Sequence, residues 1–566
     1  MLLVLAVAVS CLGNTGGGAD VPVLGDGSNA GVTGVRAPST GHGGTLRVVA
    51  GEVDSLDPQR SYLPGVWNLM RLYTRTLVSY GSRAGHTDEL VPDLATDLGR
   101  VSKDGLTWTF TLRKGGRFET GAPITSRDLK YGIERSFASD VIVGGPTHVV
   151  DLLDVPGNQY AGPYQDSTGG RLGLKTIQTP DDSTIVFHLR TPQPDLPFVM
   201  ALPSSSPVPA ARDNRAAYGQ HPVSSGPYVV SSVDPVAGIV LDRNKQWSQA
   251  TDPIRTALPD RVVVRTGLTG LDRDQALLAG SADVDISGTG VQAATTARMV
   301  SESSPLHKRS DDVTTGAVRL LALPSSVGPM RDAHCRAAVA DVIDRGAAQK
   351  LLGGASAAVQ VAQLWPGGVR GGPAETGRAP DPAAARTALA ACGKPGGFST
   401  ALAVADLPAS VALAEALREQ LGRVGITVSV KALDAATFYA SDIGDPKNVA
   451  ARGYGIVLTT WTADFPTPDS FLAPLVDGRG IRSVGNTDYA GVTDKAVEAQ
   501  IDAARAAGNG DAALAHWRDV AAAAQRTSSY VPLAEMRVQL LAGERLRNGV
   551  AMQPYRGYDL ATAGLR

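Results

Sequence analysis

The sequence lacks the short motifs around which hydrolytic, redox or phosphoryl chemistry is built. It contains no Gly-x-Ser-x-Gly elbow, no His-Glu-x-x-His pair, no Cys-x-x-Cys and no Walker A loop, which makes an extracellular hydrolase the least favoured reading. Cysteine is scarce, with 3 in 566 residues, and the 8 histidines stand singly; no protein metal cage is expected and no cofactor is implied. Charge of one sign is also missing. The net charge is -2, and no segment gathers Lys or Arg with interleaved aromatics, so nucleic acid is excluded as a partner. No interior run reaches the roughly 18 apolar residues of a membrane span. No internal repeat or coiled-coil heptad is visible.

What is present points to a multidomain α/β protein. A chain of this length exceeds one compact core, so two or three domains are expected. From Thr107 to Leu112 threonines alternate with Trp108, Phe110 and Leu112, the pattern of a half-buried strand. Asp104-Gly105 before it and Gly115-Gly116 after it supply turns. Thr125 can cap a helix whose Asp128 lies near the positive end of the dipole, with Leu129, Ile133 and Phe137 at helical spacing. Shorter strands are expected at Thr184–Leu189 and Val262–Arg265. Farther on, Ala401–Val404, Ser410–Val424 and Ile426–Val430 read as strand, amphipathic helix and strand, a parallel crossover.

The N-terminus carries its own signal. Leu2–Val9 is apolar and Ala8-Val9-Ser10 precede Cys11, which is similar to a lipoprotein signal in which Cys11 is lipidated, although no Lys or Arg comes before the apolar run. Residues 12–44, rich in Gly, Ser, Thr and Asn, read as a flexible tether or a disordered tail.

Four stretches add wording to this pattern: Pro92-Asp93-Leu94-Ala95, Asp104–Phe110, Gly121–Thr125 and Lys130–Ser136. With Ser225-Gly226-Pro227-Tyr228, Leu277–Ile286, Arg331–Arg345 and Trp461–Phe471 following in order, the chain resembles the family 5 extracellular solute-binding proteins of ABC transporters, the peptide and nickel group. The resemblance covers roughly residues 45 to 566. It implies an α/β, two-lobed periplasmic-binding-protein-like fold with an extra subdomain in the first lobe and hinged lobes around a ligand cleft. Carried onto this sequence, lobe I covers 45–312 with the subdomain at about 62–202, lobe II covers 313–530, and 531–566 returns to lobe I. The first crossing falls near Asp312–Gly316 and the return near Ser529–Leu533.

The resemblance also implies where a ligand sits. In peptide-binding relatives a carboxylate in a Trp-x-x-Asp setting holds the ligand's α-ammonium group, and Asp464 occupies that place beside Trp461, Ala463 and Phe465. The competing reading makes Asp464 the cap of a turn before Pro466 and Trp461 a core residue. Asp54, in the segment Glu52–Pro58, together with Tyr62, Trp365 and Tyr439, are further candidates for the cleft. The implied function is capture of di- or oligopeptides for an ABC permease by a monomer anchored through lipid on the outer face of the cytoplasmic membrane. An oligosaccharide or metal-chelate receptor, or a signalling or adhesion receptor on the same fold, is the alternative. In such an oxidising compartment Cys335 and Cys392, each at an end of an apparent helix, are expected to form a disulfide; two buried free thiols are the alternative.

Overall fold

A computed structural model describes residues 24–25, 27–153, 160–373 and 377–566. Cys11 and the apolar run before it lie outside the described residues. The chain forms two α/β lobes joined by two long antiparallel strands, Ser310–Ala322 and Tyr530–Leu541.

The first lobe is built on a five-stranded sheet. Its order is Tyr228–Asp234, Gly238–Arg243, Arg261–Arg265, Thr45–Val49 and Val284–Asp285, antiparallel over the first three strands and parallel thereafter. A four-stranded antiparallel sheet is appended to it, with Thr107–Thr111 between Arg100–Val101 and Thr184–His188. Trp108 and Phe110 are buried and the threonines are half-buried, as the alternation requires. Helix Ser126–Arg135 starts at a capping box in which Asp128 N–H donates to Thr125 and Thr125 N–H donates to the Asp128 carboxylate at 2.8 Å. The short helix His148–Leu153 turns Val149 and Leu153 into the first-lobe core, and Thr176 Oγ1 donates to the Leu153 carbonyl at 3.1 Å. Val150 and Leu152 pack beside that core, and His148 and Asp151 line the space between the lobes.

The second lobe is a six-stranded sheet with helices on both faces. Alternate residues of one strand feed different cores: Val318, Leu320 and Ala322 join one apolar cluster, while Leu321 and Leu323 join the other. The expected crossover is present as Ser399–Ala405, helix Pro408–Gly422 and Thr427–Leu433, with the two strands parallel. Strands buried on both sides in this way read as apolar runs in sequence. Cys335 and Cys392 are bonded, joining helices Ala333–Val342 and Pro382–Ala391.

Between the lobes the paired strands lose register. Thr314 pairs with Arg537 and Val318 with Glu535, so Thr315, Gly316 and Ala317 stand opposite Met536 alone. Gly316 takes φ +67, where a side chain would be strained, and its N–H donates to the buried Glu535 carboxylate at 3.2 Å. Gly368 N–H donates to the same oxygen at 2.9 Å. Such a bulge interrupts the ladder and increases the local bend and twist of the strand.

The tether expected over residues 12–44 is corrected by the part of it that is described. Leu24–Gly25 pairs in parallel with Val35–Arg36, and Ala30–Thr33 forms a helical turn. Arg36 is buried against Asp311 at 2.9 Å, and Gly31 N–H donates to the same carboxylate at 2.7 Å. A buried carboxylate at the base of a crossing strand needs such partners. Apolar periodicity carries no trace of a polar docking of this kind.

Candidate functional site

The strand Tyr454–Trp461 runs to the edge of the second lobe, and helix Pro468–Val476 starts a few residues later under a Thr467 cap. The intervening turn, Thr462–Pro466, projects into the gap between the lobes. Two cavities open on either side of it. The larger, about 660 Å³, is lined from the first lobe by Tyr62, His148, Asp151 and Asp195 and from the second by Tyr439, Trp461, Asp464, Arg482, Tyr489 and Arg505 among others. The smaller, about 210 Å³, lies toward the bulge and is lined by Tyr62, Thr315, Gly316, Ala463, Asp464 and Arg556 among others. Their volumes bracket the lower part of the range of small-ligand sites, about 300–1,000 Å³.

Asp464 stands where the two cavities meet. Tyr62 Oη donates to its Oδ2 at 2.9 Å, and His148 Nε2 approaches the same oxygen at 2.7 Å. That contact requires the proton on Nε2. Burial and the neighbouring carboxylate push the Tyr62 hydroxyl well above its usual range, which keeps it a donor. Oδ1 of Asp464 accepts no hydrogen bond among the described residues, and the side chain is 28% exposed. One carboxylate oxygen is thus held in place while the other is open to a donor from the cavity. On the hinge side, burial lowers the Arg556 pKa and the Asp464 charge opposes that shift; Arg556 Nη2 donates to Thr462 Oγ1 at 2.8 Å. Backbone N–H groups do not converge on Asp464 among the described residues, so it does not serve as a turn cap.

The other residues read from sequence divide into two groups. Trp461, Ala463, Phe465, Tyr62 and Tyr439 line one or both cavities. Trp461 donates from Nε1 to the Phe471 carbonyl at 2.8 Å, which fixes its ring at the wall. Phe465 is buried across the gap, stacked on Phe198 at 5.8 Å and edge-on to His148 at 5.5 Å. Asp54 and Trp365 lie apart from these two cavities. Asp54 lines neither cavity; it accepts Tyr62 N–H at 2.6 Å and Ser61 Oγ at 2.9 Å, and so fixes the turn that carries Tyr62. Trp365 is 2% exposed in the second-lobe core, because its indole packs beneath the apolar face of the sheet.

Several cavity residues had no signal in the sequence. His148, Asp151, Asp195 and Arg482 belong to no motif; the first three reach the cavity from the lobe opposite Asp464, and Arg482 from the same lobe. Asp195 is buried where the lobes touch, accepting from Thr467 Oγ1. Burial and the nearby Asp469 carboxylate raise its pKa well above the carboxylate range. Asn509 Nδ2 adds a further contact between lobes, donating to the Pro194 carbonyl at 2.6 Å. No group of three or more metal-ligating side chains occurs among the described residues.

Comparison with known proteins is consistent with this geometry. Residues 89–483 match the family described as bacterial extracellular solute-binding proteins, family 5 Middle. The periplasmic oligopeptide-binding protein OppA of Escherichia coli (strain K12) is 30% identical over 271 residues, covering 45% of this chain and 44% of that protein, so the match spans under half of the relative's length. The glutathione-binding protein GsiB of Salmonella choleraesuis (strain SC-B67) is 24% identical over 393 residues, 66% of this chain and 67% of that protein. The solved structure of clavulanic acid biosynthesis oligopeptide binding protein 2 superposes with a TM-score of 0.91 at 38% identity, over 96% of this chain and 99% of that one. The unliganded open form of the murein tripeptide binding protein MppA shares the fold, with a TM-score of 0.74 at 18% identity over 94% and 98% of the two chains.

Proposed function

The chain belongs to the family 5 bacterial extracellular solute-binding proteins, and on that premise we propose that it captures di- or oligopeptides between its lobes and delivers them to an ABC permease. The observation that carries this reading is Asp464, a carboxylate with one oxygen fixed by Tyr62 and His148 and the other open to the cavity between the lobes. A ligand ammonium on that oxygen forms a charge-assisted hydrogen bond, worth about 1.5–3 kcal/mol.

Closure follows from differential affinity. A ligand that touches Asp464 on one lobe and the Tyr62 and His148 wall on the other binds the closed form better than the open one, and the bulge at Thr315–Ala317 takes up the bend. The protein binds and releases its ligand unchanged, so no catalytic role is assigned to any residue. The names of the relatives, two of them oligopeptide-binding and one glutathione-binding, support a peptide ligand. The segment Leu2–Cys11 supports lipid anchoring at the outer face of the cytoplasmic membrane.

The test is a retention experiment. Purified protein is incubated with a mixed library of di- to pentapeptides, half of it N-acetylated, and retained species are identified by mass spectrometry. Peptides with free N-termini are expected on the protein and acetylated ones in the flow-through. Equal retention of both halves would contradict the assignment.

A further inference from the structure

The smaller cavity, on the hinge side of Asp464, is lined by two charged residues among those described: Asp464 itself and Arg556 of the first lobe. At about 210 Å³ it falls below the range of sites that take a whole ligand, and it suits a single side chain. Arg556 follows the turn Gln553–Tyr555 at φ +51, a backbone conformation that residues with a Cβ seldom adopt. Its guanidinium makes one hydrogen bond among the described residues, from Nη2 to Thr462 Oγ1 at 2.8 Å, and no ion pair. A guanidinium has more N–H donors than that bond uses.

The charge on Arg556 is answered from one direction only. Burial lowers its pKa, and the Asp464 carboxylate is the neighbouring charge that opposes the shift. Glu535 lies behind the cavity wall and lines neither cavity; its carboxylate accepts from the N–H groups of Gly316 and Gly368. When a ligand ammonium settles on Asp464, it therefore neutralises the charge that Arg556 faces. A half-buried cation stripped of its counter-charge is destabilising, and a carboxylate entering the smaller cavity restores the balance.

Resting on the peptide reading above, we propose that Arg556 selects ligands whose first residue is acidic, receiving that residue's side-chain carboxylate in the smaller cavity while Asp464 holds the α-ammonium. Asp464 stands where the two cavities meet, so the first residue can send its side chain into the smaller one and the rest of the peptide into the larger. The ligand class is a short peptide that begins with Asp or Glu. A planar guanidinium takes both oxygens of a carboxylate, and Thr462 orients this one from the opposite lobe.

The experiment is calorimetric titration of the full chain, wild type and R556Q, with Glu-Ala-Ala, Gln-Ala-Ala, Ala-Glu-Ala, Ala-Gln-Ala and N-acetyl-Gln-Ala-Ala, with a melting curve for the variant. On the wild type Glu-Ala-Ala is expected to bind about tenfold more tightly than Gln-Ala-Ala, and Ala-Glu-Ala no more tightly than Ala-Gln-Ala. R556Q is expected to bring Glu-Ala-Ala down to the level of Gln-Ala-Ala. Equal binding of Glu-Ala-Ala and Gln-Ala-Ala to the wild type, with the N-acetyl form weakened, overturns this proposal and leaves the peptide reading standing. A preference for Glu that is as large at the second position as at the first, or that survives in R556Q, also overturns it. Where R556Q fails to fold, the comparison of positions on the wild type decides. Equal binding of Gln-Ala-Ala and its N-acetyl form, or binding of no peptide, overturns the peptide reading beneath it.

Discussion

The two walls of the cavity are made differently. The second-lobe wall grows from the end of a sheet strand and the start of a capped helix, with Trp461 tied to the Phe471 carbonyl and Arg505 to Asp469. Its position is set by the core of one lobe. The first-lobe wall includes a six-residue helix, His148–Leu153, whose His148 and Asp151 meet partners across the gap. The comparison teaches that one wall is a fixed reader and the other a set of exchangeable partners, so substitutions on the two sides have unequal consequences.

The largest effect is expected on the fixed wall. D464N removes the charge that meets the ligand ammonium and keeps the shape, so peptide affinity measured by calorimetry falls about 10- to 100-fold. The thermal midpoint stays near that of the wild type, since the carboxylate is partly exposed and sits outside both cores. H148A, on the opposite wall, is expected to change affinity by less than about threefold, as befits a partly exposed pair. Equal losses from the two substitutions would break the comparison.

A second effect comes from Asp195, where the walls touch. Its pKa is raised by burial and by Asp469 of the other lobe; separating the lobes removes Asp469 and admits water, so the carboxyl is expected to fall back toward the ordinary carboxylate range. Closure then takes up a proton between that ordinary value and the raised one, and the closed form gains as pH falls through this window. Peptide affinity measured between pH 7.5 and 5.5 should carry a contribution that rises toward acid in the wild type and is absent in D195N. An identical pH profile in the two proteins would remove Asp195 from the closing contact.

The smallest effect sharpens the role of Tyr62, a first-lobe residue that serves the second-lobe reader. Y62F keeps the ring and removes one neutral donor to Asp464, a net cost of about 0.5–1.5 kcal/mol, or roughly 2- to 10-fold in affinity. The loss should appear for free peptides and shrink for N-acetylated ones.

Legibility in the sequence follows the same division. Asp464, Trp461, Ala463 and Phe465 could be read because they are contiguous and their wording is shared. The strand Thr107–Thr111 and the crossover around helix Pro408–Gly422 could be read because alternation and helical spacing write burial directly into the chain. His148, Asp151 and Arg482 could not, because an isolated polar residue acquires meaning only from what folding places opposite it. Asp54 organises the turn that carries Tyr62, and in sequence a carboxylate that organises a loop resembles one that faces a ligand. Trp365 shows the converse ambiguity: an aromatic in a Pro- and Gly-rich loop can serve a pocket or a core, and here the core has it. The folded segment 27–44 leaves no mark in the apolar pattern because its docking rests on Arg36 and Asp311, a buried ion pair with no periodic signature.

The most direct test of a carboxylate reading an ammonium between two lobes is a thermodynamic cycle on one tripeptide and its N-acetyl form, each titrated into the wild type and D464N. The account predicts that acetylation weakens binding to the wild type at least about tenfold and barely alters binding to D464N, a coupling of about 1.4 kcal/mol or more. An acetylation penalty of the same size in both proteins would show that Asp464 does not meet the ligand's amino terminus.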